Sequence, residues 1–526
     1  MRLGIDFGTT RVVVAAADRG NYPVVCFESG DGAVRDWIPP LIATSEDGSR
    51  LYGWAAWHSL GAGGTTVIRS IKRVLGDAGP GTLIDLGPIA LPLGQILAEL
   101  AAHIRQELQA HSGPETLEIL LGVPANANSN QRFLTLEAFH AAGFEVLGLL
   151  NEPSAASIEY AHRLQDLETA PPELILVYDL GGGTFDASLV NRADGGYSVT
   201  ATESIATLGG DDFDEILASL ALANAALTES RHSMTQAEEF LLLEECREKK
   251  EALHPNTRRI LIDLDRVRAG WPQIAVPVAE FYEQCQPLID ETLDVTDSLL
   301  ATLPATAQIS LYVTGGASEL PLIGRLLRER FGRRVKRSAY TRAATAIGLA
   351  IQAAGHSSYQ LRERFSRHFG VWREGDGRRL MVLDPMFERG MQLAAPGNQP
   401  LTRTRTYSPV HNIGHFRYLE CSQRGDAGEP TGDVSAWDEI RFPFDPALAD
   451  VENLAGTPVT HSADAARQLI EERYTADSSG AVRVTISNRT AGYQRVYRLA
   501  RWAAAPEPSA SIRPRRIGRH RSAKRS

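Results

Sequence analysis

Ile175-Leu176-Val177-Tyr178-Asp179-Leu180-Gly181-Gly182-Gly183-Thr184-Phe185-Asp186 decides how this chain is read. An apolar run carries a carboxylate to its end, three glycines turn the chain, a hydroxyl follows, and Ala187-Ser188-Leu189-Val190 runs back. The N-terminus repeats that order in Leu3-Gly4-Ile5-Asp6-Phe7-Gly8-Thr9-Thr10, followed by Val12-Val13-Val14-Ala15-Ala16. Glycine carries no Cβ, so backbone N–H groups can turn inward onto phosphate oxygens. The aspartate adds charge that can hold a hydrated cation beside them. Either copy alone is equally a glycine-containing hairpin turn with no ligand. Two copies with the same order of groups read as facing grips that clamp a nucleotide between two lobes.

The bulk numbers suit that reading. At 526 residues the chain is too long for one core, and two or three domains are expected. Composition is ordinary for a soluble globular protein, 43% hydrophobic and 22% charged. The net charge of −10 is unevenly spread, because Arg513, Arg515, Arg516, Arg519, Arg521, Lys524 and Arg525 crowd the C-terminus without an acid. The acidic body argues against nucleic acid as the main ligand, leaving only the basic tail as a place for it or for anionic lipid; a disordered solubilising end is the blander reading. Cys26, Cys246, Cys285 and Cys421 lie far apart with no CxxC pair, which suits a reducing cytoplasm. The chain enters its first strand at Leu3, leaving no signal peptide in view, and no apolar stretch is long enough to span a bilayer. A cytoplasmic protein with no membrane contact is expected.

Residues 1 to about 355 alternate helical and strand patterns. Ile96, Leu97, Leu100, Ile104 and Leu108 have helical spacing within Gln95 to His111, and Glu280 to Leu303 reads as a second long helix. Leu117 to Gly122 and Ile309 to Val313 read as buried strands, the latter running into Thr314-Gly315-Gly316. Such alternation predicts an α/β region. Beyond Gly355 the pattern turns to period two. Phe365 to Trp372, Leu401 to Tyr407, His415 to Cys421, Gln468 to Thr475, Ala481 to Ile486 and Tyr493 to Leu499 read as an antiparallel sandwich ending near Trp502. Residues 356–364 are the expected linker, 365–502 the sandwich and 503–526 a basic tail. No helical segment is expected after the sandwich.

These segments together resemble the seventy-kilodalton heat-shock (DnaK-type) chaperone family, within the wider group of actin-like two-lobed ATPases. GIDFGTT (4–10) and DLGGGTFD (179–186) are similar to that family's two phosphate loops. GVPANANSNQR (122–132) with GFEVLGLLNEPSAAS (143–157), then LGGDDFD (208–214), VTGGASELP (313–321) and ATAIGLAI (344–351), resemble its later elements in the right order. The likeness covers residues 1–355, and is fainter in the sandwich. It implies an α/β two-lobed actin-like ATPase domain followed by an antiparallel β-sandwich that holds polypeptide, with ATP and Mg²⁺ as ligands. The partners implied are unfolded polypeptide or a specific protein client, and a J-domain co-chaperone.

Chemistry and resemblance together assign roles. Asp6 and Asp179 end the two grips and would face each other to hold hydrated Mg²⁺. Gly8, Thr9, Thr10, Gly182, Gly183 and Thr184 would supply N–H groups and hydroxyls to the phosphates. The resemblance makes Lys72 the catalytic lysine and Glu152 the acid near the attacking water; with Asp179 and Thr184 these form the expected catalytic set, and Asp186 would add a supporting carboxylate. Gly210, Lys250, Gly315 and Gly316 would face the nucleoside and phosphates. It also implies a relay to the partner domain through Pro124 and Arg132. The nucleoside end departs from the family: Glu319 stands where an arginine usually packs on adenine, Glu251 replaces another basic residue and His254 a hydroxyl residue, while Arg11 adds charge near the phosphates. Losing a guanidinium plane removes a contact of order 1 kcal/mol, so weaker nucleotide binding is expected.

The junction Ser357-Ser358-Tyr359-Gln360-Leu361-Arg362-Glu363-Arg364-Phe365 has little apolar content, unlike the family's linker, and no lid is in view, so peptide would exchange quickly. Three functions are weighed: an ATP-hydrolysing chaperone with weak polypeptide binding, a nucleotide-dependent interaction module with little turnover, and a small-molecule kinase, which would have no use for the sandwich. No GxxxxGK[ST] occurs. His411 and His415 would share one strand face without ligating a metal, and Arg403 and Arg405 would form the solvated face of an edge strand.

Overall fold

The computed structural model describes residues 1–498 except 60–64, 77, 114, 167–173, 194–195, 305, 356–359, 362–363, 366, 376–379, 395–397, 426–427, 452 and 479. The tail, and most of the linker, therefore lie outside the described residues.

The first grip is a hairpin at one edge of its sheet, and the second a hairpin in the middle of its own. Arg2–Phe7 pairs antiparallel with Val12–Ala16 on one side and parallel with Glu118–Val123 on the other, and Glu145–Asn151 completes a four-stranded sheet. Leu174–Leu180 repeats this, antiparallel with Phe185–Ala193 and parallel with Ile309–Thr314, in a six-stranded sheet extended by Gly196–Ile205, Val335–Arg337 and Gln360–Leu361. In both, burial on the two faces explains the nearly unbroken apolar runs that preceded each aspartate. Leu93–Ser112 and Ser129–Ala141 cover the first sheet around Ile5, Val14, Ile96 and Leu121. Gly210–Asn224 and Val278–Ala301 cover the second around Leu176, Phe213, Phe281 and Leu311.

Between the sheets lie Glu152–Asp166 and Ala344–Ala353, sharing a core with Val13 and Leu120 of one sheet and Val177 and Tyr312 of the other. They cross at backbone contact distance: a Cβ on Gly348 would stand 1.8 Å from the Ala155 carbonyl oxygen, and one on Gly4 2.3 Å from that of Ala346. Only glycine permits this approach. The two sheets and their crossing helices leave a cleft of about 1100 Å³, its open mouth included, at the ends where the glycine turns sit. Ligands collect at such strand ends in α/β sheets.

The remaining described residues form two four-stranded antiparallel sheets. One joins Leu380–Phe387, His368–Gly375, Ile413–Arg424 and Pro430–Pro443; the other joins Leu401–Tyr407, Ile470–Ala476, Val482–Asn488 and Tyr493–Arg498. Phe369, Phe387, Phe416 and Phe442 from the first meet Ile470, Tyr474, Val484 and Ile486 from the second in one core, the arrangement of a sandwich. Two strands, Leu380–Phe387 and Pro430–Pro443, escaped the period-two reading. His411 precedes the strand that carries His415, so the two do not share a strand face; His411 stacks on His461 at 4.6 Å and His415 pairs with Glu439 at 2.5 Å. Leu401–Tyr407 is an edge strand, yet Arg405 reaches Asp384 at 2.8 Å and is not simply solvated. One core-facing position is charged: Glu472, fully buried, receives Arg373 at 2.7 Å and the Tyr474 hydroxyl.

The sandwich docks on the first half of the α/β region, and the linker on the second. Asn128 caps Ser129–Ala141 with a reciprocal capping box, and the next backbone N–H, at Ser129, donates to Glu420 of the sandwich at 3.0 Å, as does the Ser129 hydroxyl. A carboxylate at a helix N-terminus satisfies an orphan donor and meets the positive end of the dipole. Gln360–Leu361 adds to the edge of the six-stranded sheet beside Gly196 and Tyr197. Among the described residues no helix is long and apolar enough to cross a membrane.

Candidate nucleotide cleft

The two grips have the same internal geometry and touch each other. The Gly8 N–H donates to the Arg11 carbonyl at 3.0 Å, and the Gly181 N–H to the Thr184 carbonyl at 3.0 Å. A Cβ on Gly182 would stand 2.4 Å from the Thr10 hydroxyl oxygen, and one on Gly183 2.9 Å from a Thr9 methyl. The helix Gly210–Asn224 pins the second turn, with the Gly210 and Asp211 N–H groups donating to the Gly181 and Gly182 carbonyls at 2.9 and 2.7 Å. Gly315, at φ +83°, lies so close that a Cβ would meet Asp179 Oδ1 at 2.4 Å.

Beneath the turns sit the charges. Asp6, Lys72, Glu152, Asp179, Thr184 and Asp186 all line the cleft. Lys72 rises from the 3₁₀ turn Ile71–Val74 after Ser70 in left-handed backbone, and its Nζ lies 2.8 Å from Glu152 Oε1. Glu152 opens its helix directly after Asn151 and is only 14% exposed. Burial, reinforced by Glu152, raises Asp6 to about 7. Burial also raises Asp179, with Glu152, Asp186 and Asp6 adding to it, and raises Asp186 to about 6 although Ser204 donates to it. Burial alone would lower Lys72, but Glu152 and Asp6 outweigh it and keep the ammonium charged.

One lysine among several buried carboxylates leaves negative charge uncompensated, which is the environment a cation relieves. Among the described residues no three His, Cys, Asp or Glu are close enough to ligate one ion directly. The donor set thus suits a magnesium ion that keeps several waters and takes phosphate oxygens, as Mg²⁺ prefers. The turns suit an anion as well. Arg73 Nε is buried beside Gly183 without a hydrogen-bond partner, while its Nη2 donates to the Gly183 carbonyl at 3.0 Å. Arg73 escaped the sequence reading because nothing local marks it.

The cleft is also lined by Glu319, Glu251, Lys250, Gly210, Gly315 and Gly316, together with Arg11 and Arg342. Lys250 is buried and engaged by the Gly210 carbonyl at 2.5 Å and Asp214 at 2.7 Å, which makes it a brace for the second turn. Glu251 lies 2.7 Å from Arg11 Nη2 and 3.0 Å from Arg342 Nη1, and Glu319 lies 2.7 Å from Arg342 Nη2. Elsewhere between the halves, Phe240 of the second inserts among Leu41, Ala43, Ala56 and Val67 of the first, edge-on to Trp57 at 5.6 Å. From the site a path runs outward to the sandwich: Asn151, next to Glu152, accepts from Arg132 at 2.5 Å, and Arg132 lies three residues from Ser129 and its partner Glu420.

A family model described as Hsp70 protein matches residues 90–364. A chaperone protein HscA homolog of Burkholderia multivorans is 32% identical over 375 residues, covering 67% of this chain and 58% of that protein. Homologs of the same description from Aeromonas hydrophila and Polynucleobacter necessarius are 33% and 32% identical, over 67% and 68% of this chain and 57% and 59% of theirs. The chain spans less than two thirds of the length of these curated relatives.

Proposed function

The chain belongs to the Hsp70 family, and on that footing we propose that it binds ATP with Mg²⁺ between two actin-like lobes, hydrolyses it, and biases polypeptide binding by its C-terminal sandwich. The observation that carries this reading is the meeting of the two glycine turns, Gly182 against Thr10, above a buried set of carboxylates and one lysine. Gly8, Thr9, Thr10, Gly182, Gly183 and Thr184 bind the phosphates through N–H groups and hydroxyls. Asp6 and Asp179, backed by Asp186, hold the hydrated cation, which neutralises charge on the phosphates. Lys72 and Glu152 orient the attacking water, Glu152 accepting its proton. On this reading residues 1–355 form the nucleotide domain, 356–364 the linker and 365–502 the polypeptide domain, with 503–526 a basic tail.

Unfolded polypeptide or a dedicated client, with a J-domain partner, follows from the family. Rapid, weak peptide exchange is part of the proposal. The second reading, a nucleotide-dependent interaction module, is favoured by one observation, the carboxylates Glu251 and Glu319 at the nucleoside end. Steady-state ATP turnover with and without an unfolded polypeptide separates the two: stimulation is expected for the first, a flat near-zero rate for the second. Glu420→Ala, which frees the N-terminus of Ser129–Ala141, is expected to abolish most stimulation while basal turnover stays.

The raised carboxylates give a second expected result. Near neutral pH, Asp6, raised to about 7, is partly protonated in the cleft, burial raises Asp179 as well, and a cation must displace the protons these carboxylates hold. Affinity for Mg-ATP should therefore rise from about pH 6 to about pH 8 and then level. Calorimetry at pH 7 in buffers of different ionisation enthalpy should register proton release. Binding heats that do not depend on the buffer would remove these carboxylates from the cation site.

A further inference from the structure

Four charges alternate in sign across the nucleoside end of the cleft: Arg11, Glu251, Arg342 and Glu319. Arg11 comes from the first grip and Glu251 from the end of Gln236–Glu251 in the other half, 240 residues away. Arg11 Nη2 lies 2.7 Å from both oxygens of Glu251, and the guanidinium rests on the Trp37 ring at 4.6 Å. Arg342 is gripped from both sides, its Nε donating to Glu319 at 2.9 Å and its Nη1 to Glu251 at 3.0 Å. Thr341 fixes Glu319 in turn, donating to it at 2.5 Å, while the Thr341 carbonyl accepts from the Gly315 N–H at 2.9 Å.

This bracing sets the position of a planar group. Arg342 Cγ and Nε lie 3.6 and 3.9 Å from where a Cβ on Gly316 would stand, so its guanidinium runs alongside the glycine that leaves the cleft floor bare. A guanidinium held flat by carboxylates at its edges keeps its face free, and that face stacks on aromatic rings. Burial raises Glu251, but Arg11 and Arg342 outweigh it and bring it to about 2, so this carboxylate stays ionised through the physiological range.

Resting on the nucleotide reading above, we propose that the base stacks on Arg342, which Glu319 and Glu251 hold beside Gly316, and that the Arg11–Glu251 pair closes over it as a cross-lobe clasp. The missing arginine at position 319 is thus replaced from position 342. The clasp must part before nucleotide leaves.

The test titrates Mg-ADP and inorganic tripolyphosphate, which has no base, into the full chain by calorimetry. Arg342→Ala, and Arg342→Lys, which keeps charge without the plane, should each weaken ADP about tenfold and leave tripolyphosphate unchanged. In stopped-flow displacement, Arg11→Gln should speed ADP release several-fold, and the reversed pair Arg11→Glu with Glu251→Arg should slow it again. Wild-type release should quicken with salt, and release from Arg11→Gln should not. Wild-type ADP affinity in Arg342→Ala, or equal loss for both ligands, overturns the stacking assignment; salt-independent wild-type release overturns the clasp. A wild type that binds neither ligand sinks the nucleotide reading and takes this inference with it.

Discussion

Replacing Lys72 by alanine is expected to cut ATP turnover on the order of 100-fold or more while Mg-ATP still binds. The lysine is the one ammonium set against Glu152, Asp6 and Asp186, at 2.8 Å from Glu152 and 14% exposed. On the proposed reading, binding would rest on other groups, the N–H donors of two glycine turns and the carboxylates set to flank the cation. What disappears is the charge beside the attacked phosphorus and the partner that fixes Glu152. Single-turnover hydrolysis alongside calorimetry separates the two. Turnover within threefold of wild type would remove Lys72 from the chemistry; loss of binding and turnover together would make it a structural cation.

Gly348→Ala is expected to be the most damaging single methyl in the α/β region. Its Cβ would stand 1.8 Å from the carbonyl oxygen of Ala155, where two helices cross between the sheets. The obstacle is backbone on both sides, so no rotamer change relieves it, and the cost should reach the top of the range for overpacking, about 3 kcal/mol. At roughly 2–4 °C per kcal/mol for a domain of this size, the first thermal transition should fall by about 6–12 °C. Gly324→Ala is the control: it lies in the helix Pro321–Phe331 with nothing within 4 Å of the added methyl, and should leave the transition unchanged or slightly higher. A Gly348→Ala protein that melts with wild type would mean the crossing is looser than 1.8 Å implies.

What the sequence disclosed follows from the range of the interactions. The grips were legible because strand, carboxylate, glycines and hydroxyl are neighbours in the chain, and turn chemistry is local. The long helices were legible from spacing, Leu93–Ser112 lying within two residues of the expected Gln95 to His111. Leu380–Phe387 was missed because Asp384-Pro385 breaks its alternation, and Pro430–Pro443 because its pairing with Ile413–Arg424 shifts register twice. This part of the cleft was read one residue at a time: Glu319 and Glu251 stood out as departures, but the arginines that pair with them, Arg342 and Arg11, lie 23 and 240 residues away. The docking of Glu420 on Ser129, across 291 residues, left no local trace either.

The buried pair of Glu472 and Arg373 also governs how the sandwich reaches its final pairing. In Ile470–Ala476 the inward positions alternate with outward ones, and Glu472 faces in while Arg473 faces out. Sliding this strand by one residue would turn Arg473 into the greasy interior and part Glu472 from Arg373, which would keep only Asp384, an error of several kcal/mol. The ion pair thus acts as a proofreader of strand alignment, rejecting misthreaded sandwiches that hydrophobic packing alone would tolerate.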